Sequence, residues 1–153
     1  MFQPAGTSID VATELRIEQI EGSHTRAWAE IASAAFGMPL PLAEGLAMSI
    51  GQPGWQHYLA WDGEQAVAGA ALFMRSGVGW LGAGGTLPSH RRRGAHGALM
   101  ARRIQDSAAA GCEWVITETG EDTPEQPNPS FHNMRRTGFQ VAYLRPNYML
   151  QTL

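Results

Sequence analysis

Lysine is missing from all 153 residues, so the 11 basic side chains are all arginine. This excludes Schiff-base lysine chemistry and a Walker-type phosphate loop, which requires a lysine. Cysteine occurs once, at Cys112. An internal disulfide framework and cysteine-cluster zinc patterns are thereby excluded, and a reducing, cytoplasmic setting is the simplest expectation. No apolar run approaches the ~18 residues of a membrane span, and no basic region followed by an apolar block opens the chain, so no membrane partner or secretory leader is expected. His24, His57 and His90 lack ligand-like spacing, and no metal site is expected. What is present is 44% hydrophobic and 16% charged, an ordinary globular balance. The length suits one domain over residues 1–153, with 1–12 as a loose N-terminal arm.

The net charge of -3 conceals a separation of charge. Arg91, Arg92, Arg93, Arg102 and Arg103 fall close together, and Glu113, Glu118, Glu121, Asp122 and Glu125 follow. A mildly acidic protein with one basic focus is poorly suited to tracking a nucleic-acid backbone and suits a small polyanion held at one spot. A nucleic-acid module using Arg91–Arg93 is the less favoured alternative.

Alternation at 14–20 predicts a strand, and the apolar spacing of Ala27, Trp28, Ile31, Ala34 and Ala35 predicts a helix from Ser23 to Gly37. The "MPLP" segment breaks the chain before a second short helix at 42–50. Residues 55–75 read as two strands around the turn Asp62-Gly63. The stretch "VGWLGAGGTLP" reads as a strand whose glycines, 79, 82, 84 and 85, signal a bulge or a close approach of ligand to backbone. A helix follows the arginines as far as Gly111, then a strand at 113–119, an acidic proline-rich loop, a helix over 130–138 and one or two final strands.

The strand, the arginine–glycine turn and the helix N-terminus together make an anion site. The first helical turn has unpaired N–H groups and a partial positive charge. Gly94, Ala95 and Gly97 are small enough to let phosphate approach the backbone, and the arginines add charge-assisted hydrogen bonds. A dinucleotide fingerprint does not match, because "GAHG" with leading arginines is not G-x-G-x-x-G.

These residues resemble the GNAT superfamily of acetyl-CoA-dependent N-acyltransferases, whose signature [RQ]-x-x-G-x-[GA] reads here Arg91-Arg92-Arg93-Gly94-Ala95-His96, followed by Gly97. His96 departs from the small residue usual there. The late segment "NPSFHNMRRTGF" is similar to the family's Asn, helix, Gly-Phe pattern, and the order of elements agrees over nearly the whole chain. The resemblance implies an α/β fold with a mixed, mainly antiparallel sheet of six to seven strands, helices on both faces, and splayed fourth and fifth strands. It implies acetyl-CoA as co-substrate. Gly85, Thr86 and Leu87 would pair with its pantetheine arm, the turn Arg91 to Gly97 would hold its pyrophosphate, and Asn128, Ser130 and Asn133 would line the opposite wall. Asn128 before Pro129 equally fits a helix N-cap.

An alkyl amine is about one part in a thousand neutral at pH 7, a cost of roughly 4 kcal/mol that a general base offsets. Glu118, at the end of an apolar strand, is the candidate base. The family's tyrosine acid falls at Met134, which cannot donate a proton; Tyr143, Tyr148 or His132 are the substitutes, with Tyr143 preferred, or else CoA leaves as thiolate. The expected acceptor is a compact small-molecule amine, held between the first two helices and the final strands with Tyr143, Tyr148 and Met149. A homodimer is a possible assembly, and the rival reading is a non-catalytic acyl-CoA sensor.

Overall fold

The computed structural model describes residues 1–148. The elements, in chain order, are β1 (Phe2–Pro4), β2 (Arg16–Ile20), α1 (Thr25–Phe36), α2 (Leu40–Ala47), β3 (Trp55–Asp62), β4 (Gln65–Arg75), β5 (Val78–Thr86), α3 (Ala95–Ala109), β6 (Trp114–Thr117) and α4 (Pro129–Arg136). They build one six-stranded sheet in the order β1-β6-β5-β4-β3-β2. All neighbours are antiparallel except β5 and β6, which are parallel. This is the mixed, mainly antiparallel sheet expected from the sequence. None of the described helices is long and apolar enough to cross a membrane.

Side chains alternate across the sheet as the period of two requires. Tyr58, Ala60, Ala70 and Leu72 pack with Leu99, Met100 and Ile104 of α3, while Leu59 and Ala71 pack with Trp28 and Ile31 of α1 and with Ala43 and Ala47 of α2. The β3–β4 hairpin turns through Gly63 at φ +57°, as Asp62-Gly63 predicts. Gly37, left-handed at φ +65°, ends α1 and donates its N–H to Ser33 O. The prolines after α1 do not break the chain as expected. Pro39 precedes α2 and Pro41 lies in its first turn, where a missing N–H leaves no bond unmade.

The termini differ from the expectation. The first residues include a strand, because Phe2, Gln3 and Pro4 pair with Ile116, Val115 and Trp114. Gln3 and Ala5 are buried. Conversely, residues 141–148 form no strand, and Gln140 only bridges Phe2, through two bonds of 2.9 Å. The cause is occupancy, since β1 already holds the edge beside β6 that a final strand would need. Met149 lies outside the described residues.

The splay is present. Val78–Leu81 pair with Trp114–Thr117, and the pairing stops there. The last link is a side chain, Thr117 Oγ1 donating to Leu81 O at 2.8 Å. Beyond it, β5 continues against β4 alone. Gly69 faces Gly85 but Ala71 faces Gly82, so β5 carries one extra residue, and Ala83 sits at φ +48°. Two of the β5 glycines serve helix packing. A Cβ on Gly79 would lie 2.5 Å from Ser107 Oγ, and one on Gly85 would lie 2.6 Å from the Cβ of Ala35. Gly85→Ala should therefore destabilise the ligand-free protein by ~1–3 kcal/mol through overpacking, read as a lower urea midpoint at unchanged slope.

Candidate active site

After β5 the chain makes a short 3-10 turn, Pro88–His90, and enters the arginine segment. Arg92 at φ +63° and Gly94 at φ +84° are both left-handed, and α3 starts at Ala95. Among the described residues no acceptor meets the backbone N–H groups of 92–97, and Gly94 supplies no side-chain cap. The result is a concave row of free N–H groups at a helix N-terminus, a cradle for an anion.

Two contacts brace it. Thr13 Oγ1 donates to Arg93 O at 2.9 Å, and the Arg93 guanidinium donates to Asp62 Oδ2 at 2.5 Å. The bond from Arg93, opposed by slight burial, holds the Asp62 carboxyl below its ordinary pKa. Arg93 is therefore occupied as a side chain, whereas Arg91 and Arg92 are exposed and make no ion pair among the described residues. Ala12 and Thr13 crowd Gly94, where a Cβ would come 2.8 Å from Ala12 O. Residues 12–15, which sequence reasoning gave no part in the site, form one wall of an open groove of about 550 Å³ whose other wall is Arg92–Gly94.

A second cavity, about 270 Å³, fills the gap where β5 and β6 part. Trp80–Gly84 form one wall, Thr117–Gly120 the other; His96 and Arg103 of α3, Ser130 and Met134 of α4, and Phe36 of α1 close it. The expected strand contacts, Gly85, Thr86 and Leu87, lie one step beyond this wall, and Leu87 N–H already donates to Val67 O at 2.9 Å. Of the expected α4 residues, Ser130 lines the cavity. Asn128 caps the helix: its Oδ1 accepts from Ser130 and Phe131 N–H, and its Nδ2 donates to Thr119 Oγ1 and Gly120 O. Asn133 accepts from Arg136.

Glu118 lies at the mouth of the cavity, exposed, with Oε2 accepting from Arg145 Nη2 at 2.5 Å. Tyr143 is 73% exposed and Tyr148 90%, and neither reaches the cavity. His132 pairs with Asp122 at 3.1 Å, outside it. The expected substitutes for the missing acid are therefore not assembled with Glu118. Met134 is buried in the cavity wall.

Arg103, Thr117 and Trp80 are cavity residues that sequence reasoning missed. The signal for Arg103 was its spacing: it shares the apolar face of α3 with Leu99, Met100 and Ile104. Burial pushes the His96 imidazole down to about 4, helped by the Arg103 charge, and its Nδ1 is buried without a partner. His57, against Trp28 and Trp55, is pushed down to about 4 by burial alone.

Neither imidazole binds a proton in the folded chain at pH 5, whereas unfolded imidazoles do so below ~6.5. The unfolded state therefore binds more protons between pH 6.5 and 4, and stability falls as pH drops through that window. For buried His57 the slope approaches ~1.4 kcal/mol per pH unit. Urea unfolding from pH 7 to 4.5 should show the fall, and His57→Phe should flatten part of it.

No protein-family model and no curated protein matches the sequence. Solved structures do match. AAC(6')-Iy, in complex with the bisubstrate analog CoA-S-monomethyl-acetylneamine, superposes with TM-score 0.73 at 19% identity, covering 92% of this chain and 100% of its own. The ribosomal-protein-alanine N-acetyltransferase of Escherichia coli gives 0.75 at 19%, covering 90% and 85%. The aminoglycoside 6'-N-acetyltransferase of Acinetobacter haemolyticus gives 0.71 at 18%, covering 90% and 99%. The chain has the fold of the GNAT acetyltransferases.

Proposed function

We propose that this protein transfers an acetyl group from acetyl-CoA to the amine of a small molecule. The observation that carries this reading is the cavity opened where β5 and β6 part, with a row of free N–H groups nearby and a carboxylate at its mouth. The unpaired N–H groups of 92–97 suit pyrophosphate oxygens, with Arg91 and Arg92 adding charge. The exposed strand backbone at Gly82–Gly84, beyond the last β5–β6 pair, suits a thin amide-bearing arm. The CoA analogue bound by AAC(6')-Iy, on the same fold, supports that choice of donor.

Glu118 takes the proton of the attacking amine. The nitrogen adds to the thioester carbonyl, its second proton leaves through the same exposed carboxylate to water, the C–S bond breaks, and the sulfur departs with the electron pair. Arg145 occupies Glu118 in the free protein, so a cationic amine exchanges for the guanidinium at the same carboxylate. Exposed Phe36, Leu42, Leu46 and Met48 give the α1–α2 side an apolar rim that favours an acceptor with hydrophobic bulk. Tyr143 and Tyr148, exposed on the C-terminal segment, have no part in this reading of the groove. A single free cysteine, Cys112, suits a reducing cytoplasmic setting for this reaction.

The rival reading, a sensor that binds acyl-CoA without turnover, is an outcome of the same test. Thiol release over a panel of amino acids, polyamines, aminoglycosides, arylalkylamines and peptides separates the two. On the best acceptor, Glu118→Gln should lower kcat/KM by ~10²-fold near neutral pH with CoA affinity nearly unchanged. Equal activity from pH 6 to 9 would remove Glu118 from the mechanism. Absence of thiol release with every amine would favour the sensor.

A further inference from the structure

Arg103 faces inward from α3 and is 3% exposed. No carboxylate pairs with it among the described residues. Its Nε donates to Leu99 O at 3.0 Å, and its Nη1 to Ala71 O and Gly82 O at 2.9 and 3.1 Å. Nη2 has no hydrogen bond among the described residues and lies at Gly84, where an added Cβ would sit 3.5 Å from it. Among the described residues, Arg103 is the one cation lining the β5–β6 cavity, and Glu118 is the one acid.

The surroundings leave that charge uncompensated. On the same helix, His96 is neutral. From β3, Tyr58 is kept protonated by burial and by its bond to Asp106, and Asp106 itself is held by Arg102. From the β6 side come Thr117, bonded to Leu81 O, and the exposed Glu118 at the mouth. Burial pushes the Arg103 pKa down to about 10, which still leaves it charged at pH 7. Nη2, without a protein partner among the described residues yet not a buried unpaired atom, opens to the cavity with two N–H donors free to meet an anion there.

The proposed reaction generates one anion inside the cavity, the departing sulfur, and Met134 in the wall cannot protonate it. We propose that Arg103 is a catalytic residue that receives the CoA sulfur as thiolate at Nη2, replacing a side-chain acid. The ammonium first loses a proton to Glu118, which is exposed and passes it to water. The neutral nitrogen then forms the C–N bond and gives its second proton to Glu118, and the C–S electron pair remains on sulfur beside the guanidinium. The sulfur takes a proton from water after release. Positive charge leaves the amine toward the mouth while negative charge grows toward the floor, so both ends of the cavity favour the same displacement. This inference rests on the acetyl-CoA reading above.

The test compares CoA with desulfo-CoA, which lacks the sulfur, by calorimetric titration from pH 6 to 9, with ultraviolet absorbance reporting bound thiolate. An ordinary thiol titrates near ~8.5. In the wild type the bound thiol should titrate at least ~1 unit below free CoA, and CoA should outbind desulfo-CoA by ~10-fold at pH 8. Arg103→Met should abolish both differences, and Arg103→Lys should retain part of them. Circular dichroism reports whether each variant folds; if Arg103→Met does not, the wild-type titration and Arg103→Lys decide. Equal binding of the two ligands at every pH in the wild type would overturn this inference alone. Failure of both ligands to bind would overturn the acetyl-CoA reading together with it.

Discussion

One extra residue in β5 governs the shape of the molecule. At the bulge between Gly82 and Gly85 the strand loses register with β4, and on its other side it has already parted from β6. Backbone groups released in this way must find other partners or water. Arg103 supplies one: Nη1 bridges Ala71 O on β4 and Gly82 O on β5, tying the two strands where their ladder is irregular. Thr117 does the same at the fork between β5 and β6. The cavity exists because the sheet fails there in an ordered way, and the side chains that repair the failure also line the cavity.

The anion cradle depends on the same local economy of bonds. Its N–H groups are free because α3 begins immediately after two left-handed residues, and its orientation is fixed from outside by Asp62 and Thr13. The β3–β4 turn, 31 residues earlier, thus clamps the turn through Arg93. A site held in shape before its ligand arrives loses little conformational entropy on binding.

Much of this was legible in the chain. Asp62-Gly63 marked the hairpin, the glycines of β5 marked an irregular strand, and Arg91 to Gly97 marked the helix start with its free donors. Other features depend on which of two equal neighbours faces inward. Arg102 and Arg103 are adjacent arginines, yet one pairs with Asp106 at the surface and the other is buried. Only the apolar positions around them in α3 distinguish the two. Glu118 pairs with Arg145, 27 residues away, a contact no local pattern encodes. The sheet edge was misread because a three-residue strand is too short to show alternation, and β1 took the place expected for the C-terminal residues. Gly79 and Gly85 are also spacers for Ser107 and Ala35, a packing role their pattern did not reveal.

The short β5–β6 pairing has a mechanical meaning. Four residue pairs and one threonine hydroxyl form the spine between two leaves, one carrying β2 to β5 and the other β1, β6 and α4, with Met134 and Phe139 as the second leaf's anchors in the shared core. Between the inner strands of the sheet, ladder pairs are fewest along this seam, so opening of the sheet's interior is expected to begin here. An occupant lodged in the seam would bear on both leaves at once, tying together what the four residue pairs alone hold.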